Sequence, residues 1–157
     1  MTVRVGQGFD IHPFSDDATR PLVLGGVSLP GPGLAGHSDA DVIAHACADA
    51  ILGAAGLGDL GDHFPDTDPK WRGADSLRLL TEVVDLVSAE GFSVGNVDLT
   101  VLAEAPKLAP HRQEMQEKLS AVVRAPVSIK ATRAEGLGAI GRKEGIACLA
   151  VALLQRP

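Results

Sequence analysis

Hydrophobic and polar positions alternate in several short stretches of the chain, a pattern that predicts β-strands. Gly6 and Gly8 lie inside the first stretch and indicate that another backbone packs closely against it. The final stretch is apolar throughout, so a buried helix also fits it, but a strand is preferred. The predicted strands are Val3–Phe9, Leu22–Val27, Ser93–Ala103, Pro126–Thr132 and Gly145–Leu154.

Three segments have helical character, at residues 38–52, 74–90 and 110–123. We expect the first helix to begin at Ser38 as N-cap, with Asp39 and Asp41 in its first turn, where the helix dipole favours acids. Its small residues form one narrow stripe, which suggests tight packing. That stripe consists of Val42, Ala46, Ala50 and Gly53. Residues 62–73 are predicted to form a structured loop without a helix, and residues 136–138 another loop.

The order of these elements predicts the fold class. Two strands precede two helices, and then strand, helix, strand and strand follow. This order indicates an α/β (α+β) sandwich, with a mixed sheet of four to five strands covered by helices on one face. The sequence contains no repeat or linker, so residues 1–157 are expected to form a single domain.

Composition and charge exclude several functions. The net charge of -6 argues against broad nucleic-acid binding, which requires a basic surface. No apolar run is long enough to cross a membrane, and we see no signal peptide. Cys47 and Cys148 lie far apart in apolar segments, as expected for buried, reduced thiols. A cytoplasmic protein without membrane or nucleic-acid partners is therefore expected.

The strongest chemical signal is a candidate metal site. Asp10 and His12 are two residues apart on a strand, so their side chains point the same way. His45, on the first helix, is a candidate third ligand, and His37 precedes that helix. Three protein ligands leave an open position, as in catalytic zinc sites. The alternative is that these histidines are ordinary hydrogen-bonded residues, because the Asp-x-His motif is short.

Four other segments have weaker signals. Residues 59–61 and 64–68 carry acids on a turn that could bind sugar hydroxyls, and residues 103–109 form a proline-stiffened turn after a strand. Glu135 is a candidate ligand for Mg²⁺, and Arg142 with Lys143 suits a phosphate. For each segment a solvated turn or a surface salt bridge is the simpler explanation.

Together these segments resemble the 2-C-methyl-D-erythritol 2,4-cyclodiphosphate synthase family, in order and over nearly the whole chain. The resemblance rests on residues 6–12, 24–27, 37–41 with His45, 58–61, 64–68, 95–98, 105–107 and 141–147. It implies a metal-dependent lyase of the non-mevalonate isoprenoid pathway. Such an enzyme cyclises 4-diphosphocytidyl-2-C-methyl-D-erythritol 2-phosphate and releases CMP. It also implies a homotrimer with active sites between subunits.

The resemblance assigns roles to individual residues. Zn²⁺ is implied at Asp10, His12 and His45, and a second metal, Mg²⁺ or Mn²⁺, at Glu135 across the substrate diphosphate. Catalytic roles fall on His37, Thr132 and Arg133. The implied substrate-binding residues are Ser38, Asp59, Leu60, Gly61, Phe64, Pro65, Asp66, Thr67, Asp68, Ala103, Glu104, Ala105, Pro106, Lys107, Leu108, Ala109, Ala139 and Arg142.

Two positions depart from the family pattern. Arg133 stands where the family usually has a threonine that steadies the transition state, so either Arg133 or Thr132 takes that role. Ala139 replaces an aromatic residue that lines a cavity on the threefold axis, where isoprenoid diphosphates bind beside Arg142. Two other functions stay open: a non-catalytic trimeric binder of isoprenoid diphosphates or cytidine nucleotides, and a general zinc phosphohydrolase.

Overall fold

The computed structural model describes residues 1–157. It contains six strands and five helices, together with a 3-10 turn at Pro69–Trp71. The strands are β1 (Thr2–Pro13), β2 (Leu22–Leu24), β3 (Val27–Leu29), β4 (Ser93–Leu102), β5 (Val127–Thr132) and β6 (Gly145–Arg156). The helices are α1 (Val42–Ala55), α2 (Leu60–His63), α3 (Ser76–Ala89), α4 (Arg112–Val123) and α5 (Gly138–Gly141). No helix is both long and apolar enough to cross a membrane.

Four strands form one mixed sheet in the order β1-β6-β4-β5. β6 runs antiparallel to both of its neighbours, whereas β4 and β5 are parallel. The predicted mixed α/β architecture is therefore confirmed, and the final apolar stretch is a strand. The C-terminal ends of β1, β4 and β5 consequently meet at the same edge of the sheet.

The predicted strand across residues 22–27 was wrong in detail. It is split into β2 and β3, which form a separate two-stranded sheet and do not join the main one. Gly25 and Gly26 make the turn between them with φ of +57° and +73°. Such angles suit the tight turn of a hairpin and are readily adopted by glycine. The sequence pattern alone did not separate a hairpin from a continuous strand.

Helix α1 packs directly on β1. The glycines predicted a close backbone approach and the stripe of small residues predicted tight packing, and the structure shows that the two features pack against each other. A Cβ added to Gly6 would lie 2.1 Å from the carbonyl oxygen of Ala50, and one added to Gly8 would lie 2.0 Å from that of Ala46. Only glycine permits this approach of strand and helix. The main hydrophobic cluster contains 36 buried residues, drawn from the helices and the covered sheet face.

The opposite face of β1 and β6 carries apolar side chains in contact with solvent. Val3, Val5, Phe9 and Ile11 alternate with the buried positions of β1 and are 49–66% exposed. Val151 of β6 is 47% exposed. We call these five residues the open apolar face. An apolar surface of this kind on a folded chain commonly marks an interaction site.

Three local predictions about helices were wrong. The N-cap of α1 is Asp41 rather than Ser38, and neither acid lies in the first turn. Asp41 is fully buried and accepts hydrogen bonds from the amides of Ile43 and Ala44 as well as those of Gly25 and Gly26. Short helices also occupy parts of the predicted loops, namely α2 and α5, because local turn hydrogen bonds close single helical turns there.

Candidate metal centre and substrate cleft

Asp10, His12 and His45 converge at the end of β1. The Oδ2 atom of Asp10 lies 2.9 Å from Nε2 of His12 and 3.1 Å from Nδ1 of His45. One ligand atom from each residue falls within 4.8 Å of the others. Strand alternation brings the first two side chains together, and the packing of α1 on β1 adds the third. The predicted convergence of these three residues is therefore confirmed.

The hydrogen bonding of the His12 imidazole leaves one ring nitrogen available to a metal ion. Nδ1 of His12 lies 2.8 Å from the carbonyl oxygen of Ala35, which only accepts, so Nδ1 donates and Nε2 keeps its lone pair. Nε2 is buried and has no hydrogen-bond partner of acceptable geometry. Two nitrogen lone pairs and one carboxylate are a donor set that suits Zn²⁺ with a fourth position open.

The charges of this cluster are coupled. Burial tends to raise the pKa of Asp10, but the two neighbouring imidazoles outweigh it and the pKa is lowered. Burial tends to lower the pKa of His12, whereas the Asp10 carboxylate raises it, and the net shift is upward. Asp10 is thus held as the carboxylate, the form that binds a metal.

A cleft of about 610 Å³ opens beside the three ligands. His37 and Ser38 line it, as do most residues of the two predicted sugar-binding segments. Those residues are Asp59, Leu60, Gly61, Phe64, Pro65, Asp66 and Thr67. Asp68 does not line the cleft, but its carbonyl oxygen accepts a hydrogen bond of 3.0 Å from Nε2 of His37. The structure therefore gathers most of the predicted sugar-binding residues around the three candidate metal ligands.

Local hydrogen bonds fix the wall of this cleft. Asp59 is the N-cap of α2 and accepts a hydrogen bond of 3.0 Å from the amide of Asp62. The amide of Leu60 donates to Oδ1 of Asp49 at 2.7 Å. The rings of Phe64 and Trp71 meet edge to face with centroids 4.9 Å apart. These contacts hold the 59–67 segment in place as a wall of the cleft.

A second pocket, of about 430 Å³, lies at the ends of β4 and β5. It is lined by most of the 103–109 turn together with Ala131, Thr132 and Arg133. Glu104 joins its two walls, because its carboxylate accepts from the amide of Ala134 at 2.8 Å and lies 3.3 Å from Nε of Arg133. These contacts lower the pKa of Glu104. Ala105 faces a neighbouring pocket with Phe14.

Five predicted site residues lie outside both pockets, namely Asp68 and Ala105, described above, and Glu135, Ala139 and Arg142. Glu135 is exposed and does not belong to the three-residue metal cluster. Ala139 is exposed on α5, and Arg142 forms a surface ion pair with Glu144 at 2.8 Å. The surface salt bridge considered for Arg142 is therefore present in this chain.

Sequence reasoning missed several residues of the cleft. Asp49 lines it, together with Gly36, Trp71 and Leu79. Asp49 lies one helical turn after His45, so its position on the same face of α1 could have been predicted from this spacing. Burial raises the pKa of Asp49, and the charges of Asp59 and Asp10 add to this, although its hydrogen bond from Leu60 acts against it.

Comparison with known proteins places the chain in a family. The model of the YgbB family matches residues 3–155. The chain belongs to the YgbB family. The resemblance inferred from the motifs is thereby confirmed. The chain is similar to the 2-C-methyl-D-erythritol 2,4-cyclodiphosphate synthase of Alcanivorax borkumensis, with 54% identity over 99% of this chain and 98% of that protein. It is 52% identical to the protein of the same name from Enterococcus faecalis, over 98% of this chain and 99% of that protein.

Other relatives are longer. The chain is 57% identical to the bifunctional enzyme IspD/IspF of an Anaeromyxobacter strain, over 98% of this chain but 40% of that protein. The solved bifunctional IspDF of Campylobacter jejuni matches with a TM-score of 0.94 and 45% identity, over 99% of this chain and 43% of that one. The IspF of Plasmodium falciparum, solved as a CDP complex, matches with a TM-score of 0.85 and 35% identity, over 98% and 96% of the two chains.

Proposed function

We propose that this YgbB chain is a metal-dependent phosphorus-oxygen lyase. It converts 4-diphosphocytidyl-2-C-methyl-D-erythritol 2-phosphate to 2-C-methyl-D-erythritol 2,4-cyclodiphosphate and CMP, in non-mevalonate isoprenoid biosynthesis. The observation that carries the proposal is the cluster of Asp10, His12 and His45 opening into a cleft lined by His37, Ser38 and the 59–67 segment. The names of its relatives, and the CDP bound to a solved IspF, point to the same substrate.

The cluster favours phosphoryl chemistry without a protein nucleophile. Zn²⁺ bound to these three residues would supply a Lewis acid for a phosphate oxygen of the substrate. The remaining task of the protein is to hold the 2-phosphate in line with the β-phosphorus of the diphosphate. In this proposal His37, whose Nε2 donates to the carbonyl of Asp68, presents its ring to the cleft. Acids such as Asp59 and Asp66 accept hydrogen bonds from the sugar hydroxyls.

The second pocket is proposed to bind the cytidine. Backbone groups of residues 103–109 recognise the base, and Thr132 and Arg133 contact the diphosphate. Arg133 supplies a fixed positive charge in place of the usual threonine, and Glu104 restrains its guanidinium. A divalent Mg²⁺ or Mn²⁺ carried by Glu135 and the phosphate oxygens would offset charge on the departing CMP.

A homotrimer explains the separation of the two pockets. They lie at β1 and at β4–β5, and since β6 and β4 lie between β1 and β5, those two strands are about 14 Å apart at ordinary strand spacing. We propose that neighbouring subunits bring the metal cleft of one chain against the nucleotide pocket of the next. The open apolar face would be covered in that assembly. An axial isoprenoid diphosphate beside Ala139 and Arg142 belongs to the same proposal.

Two broader expectations accompany this function. We retain residues 1–157 as one domain, because elements from both ends of the chain contribute to one hydrophobic cluster. We also retain a cytoplasmic location, which the two buried free thiols of Cys47 and Cys148 support.

The direct test incubates the purified protein, Zn²⁺ and either Mg²⁺ or Mn²⁺ with the cytidylylated substrate. Release of CMP with formation of the cyclic diphosphate is expected. A folded, zinc-loaded protein that releases no CMP would refute the proposal, and CDP binding without turnover would favour the non-catalytic binder. Release of inorganic phosphate would favour the phosphohydrolase. Sedimentation measures the trimer independently.

A further inference from the structure

We propose that Ser76 and Asp39 are positioning residues of the metal centre, which hold the His45 ring so that Nδ1 faces the metal. This inference rests on the metal-binding role proposed above. Neither residue belongs to the predicted site, and neither lines the cleft. They act through His45, from the side of the imidazole that points away from Asp10.

A continuous chain of hydrogen bonds leads from Asp39 to the ligand cluster. Nε2 of His45 lies 2.8 Å from Oγ of Ser76, and that hydroxyl in turn hydrogen-bonds Oδ1 of Asp39. The other ring nitrogen, Nδ1, lies 3.1 Å from Oδ2 of Asp10. Ser76 is 1% exposed and His45 is 9% exposed, so water does not compete freely for these contacts.

The direction of each bond follows from the chemistry of the groups. A carboxylate only accepts hydrogen bonds, so the Ser76 hydroxyl donates its one proton to Asp39. Its oxygen can then only accept from Nε2 of His45, which must carry the ring proton. Nδ1 consequently keeps its lone pair, and it is the nitrogen that faces Asp10 and His12.

Asp39 is itself fixed by backbone donors. Its Oδ2 accepts from the amide of Ser76 at 3.1 Å, and its Oδ1 accepts from the amide of Asp41 at 3.1 Å. The carboxylate therefore joins the first residue of α3 to the N-cap of α1. Ser38 also lies 3.1 Å from Nε2 of His45, but its oxygen is shared with the amide of Ala40, and it belongs to the proposed substrate site.

Partners of this kind tune metal sites because they fix the orientation of a ligand and raise its basicity. Loss of such a partner typically weakens metal binding about 10- to 100-fold. His12 has only a backbone carbonyl in the equivalent position, which no side-chain substitution removes. Apart from Ser38, Ser76 and Asp39 are therefore the side chains that support a ligand of this centre from behind.

The test measures zinc affinity of the metal-free protein by competition with a chromophoric chelator. Ser76→Ala is expected to raise the zinc Kd about 10- to 100-fold, and Asp39→Asn should also weaken binding. Ser76→Thr keeps the hydroxyl and should restore most of the affinity. Ser88→Ala is the matched control, because Ser88 lies on the same helix and donates only to the carbonyl of Val84.

A purely structural role predicts a different result. Ser76→Ala would then lower the melting temperature of the metal-free protein but leave the zinc Kd within twofold of the parent, and the proposal would be overturned. If Ser76→Ala does not fold, Asp39→Asn and the visible spectrum of bound Co²⁺ decide, and an unchanged spectrum and Kd would overturn it equally. A parent protein that binds no zinc would instead refute the proposed function.

Discussion

Replacing Gly8 by alanine tests the contact on which the metal centre is built. The new Cβ would lie 2.0 Å from the carbonyl oxygen of Ala46 and 2.7 Å from the amide nitrogen of Ala50. Both are backbone atoms of a helix, so no side chain can rotate away. Helix α1 must instead retreat from β1 by roughly 1.5 Å to reach an ordinary contact.

The expected cost follows from this geometry. Overpacking a well-packed interior costs about 1–3 kcal/mol, and a clash with a helix backbone belongs at the upper end, about 3 kcal/mol. Because α1 carries His45 while β1 carries Asp10 and His12, the retreat should also weaken zinc binding. Gly53→Ala is the matched control on the same helix, since its Cβ would lie 3.7 Å from the nearest atom, the carbonyl oxygen of Gln7.

Urea unfolding of the metal-free proteins, followed by circular dichroism at equal concentration, measures both effects. Gly8→Ala should lose about 3 kcal/mol, whereas Gly53→Ala should gain about 0.5–1 kcal/mol because alanine favours a helix interior. Zinc titration of the two variants should show weaker binding only for the first. The reasoning fails if Gly8→Ala costs less than Gly53→Ala or binds zinc like the parent.

Further predictions concern individual contacts. Asp41→Ala should lower the free energy of unfolding by about 3 kcal/mol in urea titrations, because four backbone amides lose their hydrogen-bond acceptor. Asp75→Ala removes an exposed N-cap and should lower it by only about 1 kcal/mol. An equal cost would contradict this assignment. Glu104→Ala should weaken CDP binding about tenfold by calorimetry without changing zinc affinity, since it frees the turn that carries Arg133. A parallel loss of zinc would refute this separation. The folded-state pKa of Asp49 is raised, first by burial, so its contribution to stability is lost as pH rises above its unfolded pKa. Asp49→Asn should therefore gain stability relative to the parent between pH 4 and pH 7 in chelator, and a constant difference would contradict the shift. Zinc at 100 times its Kd should stabilise the parent by about 2.7 kcal/mol, seen as a higher melting temperature that chelator reverses.

The layout of the fold was accessible from local patterns. Alternation in β1 placed Asp10 and His12 on one face, and the glycines of that face matched the small residues of α1. The alternation and the small-residue patterns depend only on neighbours along the chain, whereas the pairing of the glycines with α1 is seen only in the structure. The hairpin at Gly25 and Gly26 and the N-cap at Asp41 depend on tertiary contacts, and the predictions made from local sequence were wrong for both.

The candidate site shows the same limit. Its three metal ligands could be proposed from spacing, and the family pattern supplied the surrounding segments. Ser76 lies 31 positions from His45 in the sequence, and no periodicity links the two. Asp39 looked like a helix-dipole acid, yet it binds the hydroxyl that supports a ligand. Supporting contacts of this kind arise only when α1 and α3 are packed together.

The strand order has a consequence for how the protein is made. β1 carries two of the candidate metal ligands, but its only partner in the sheet is β6, which follows all the other strands in sequence. A ribosome-bound chain that lacks residues 145–156 contains all three candidate metal ligands and can pack α1 on β1, but it lacks the only strand that hydrogen-bonds to β1 in the sheet. The pairing of β1 with β6 joins distant parts of the sequence, and such pairing forms slowly compared with local contacts. If the proposed metal site forms, metal binding during synthesis is expected only after β6 has left the ribosome.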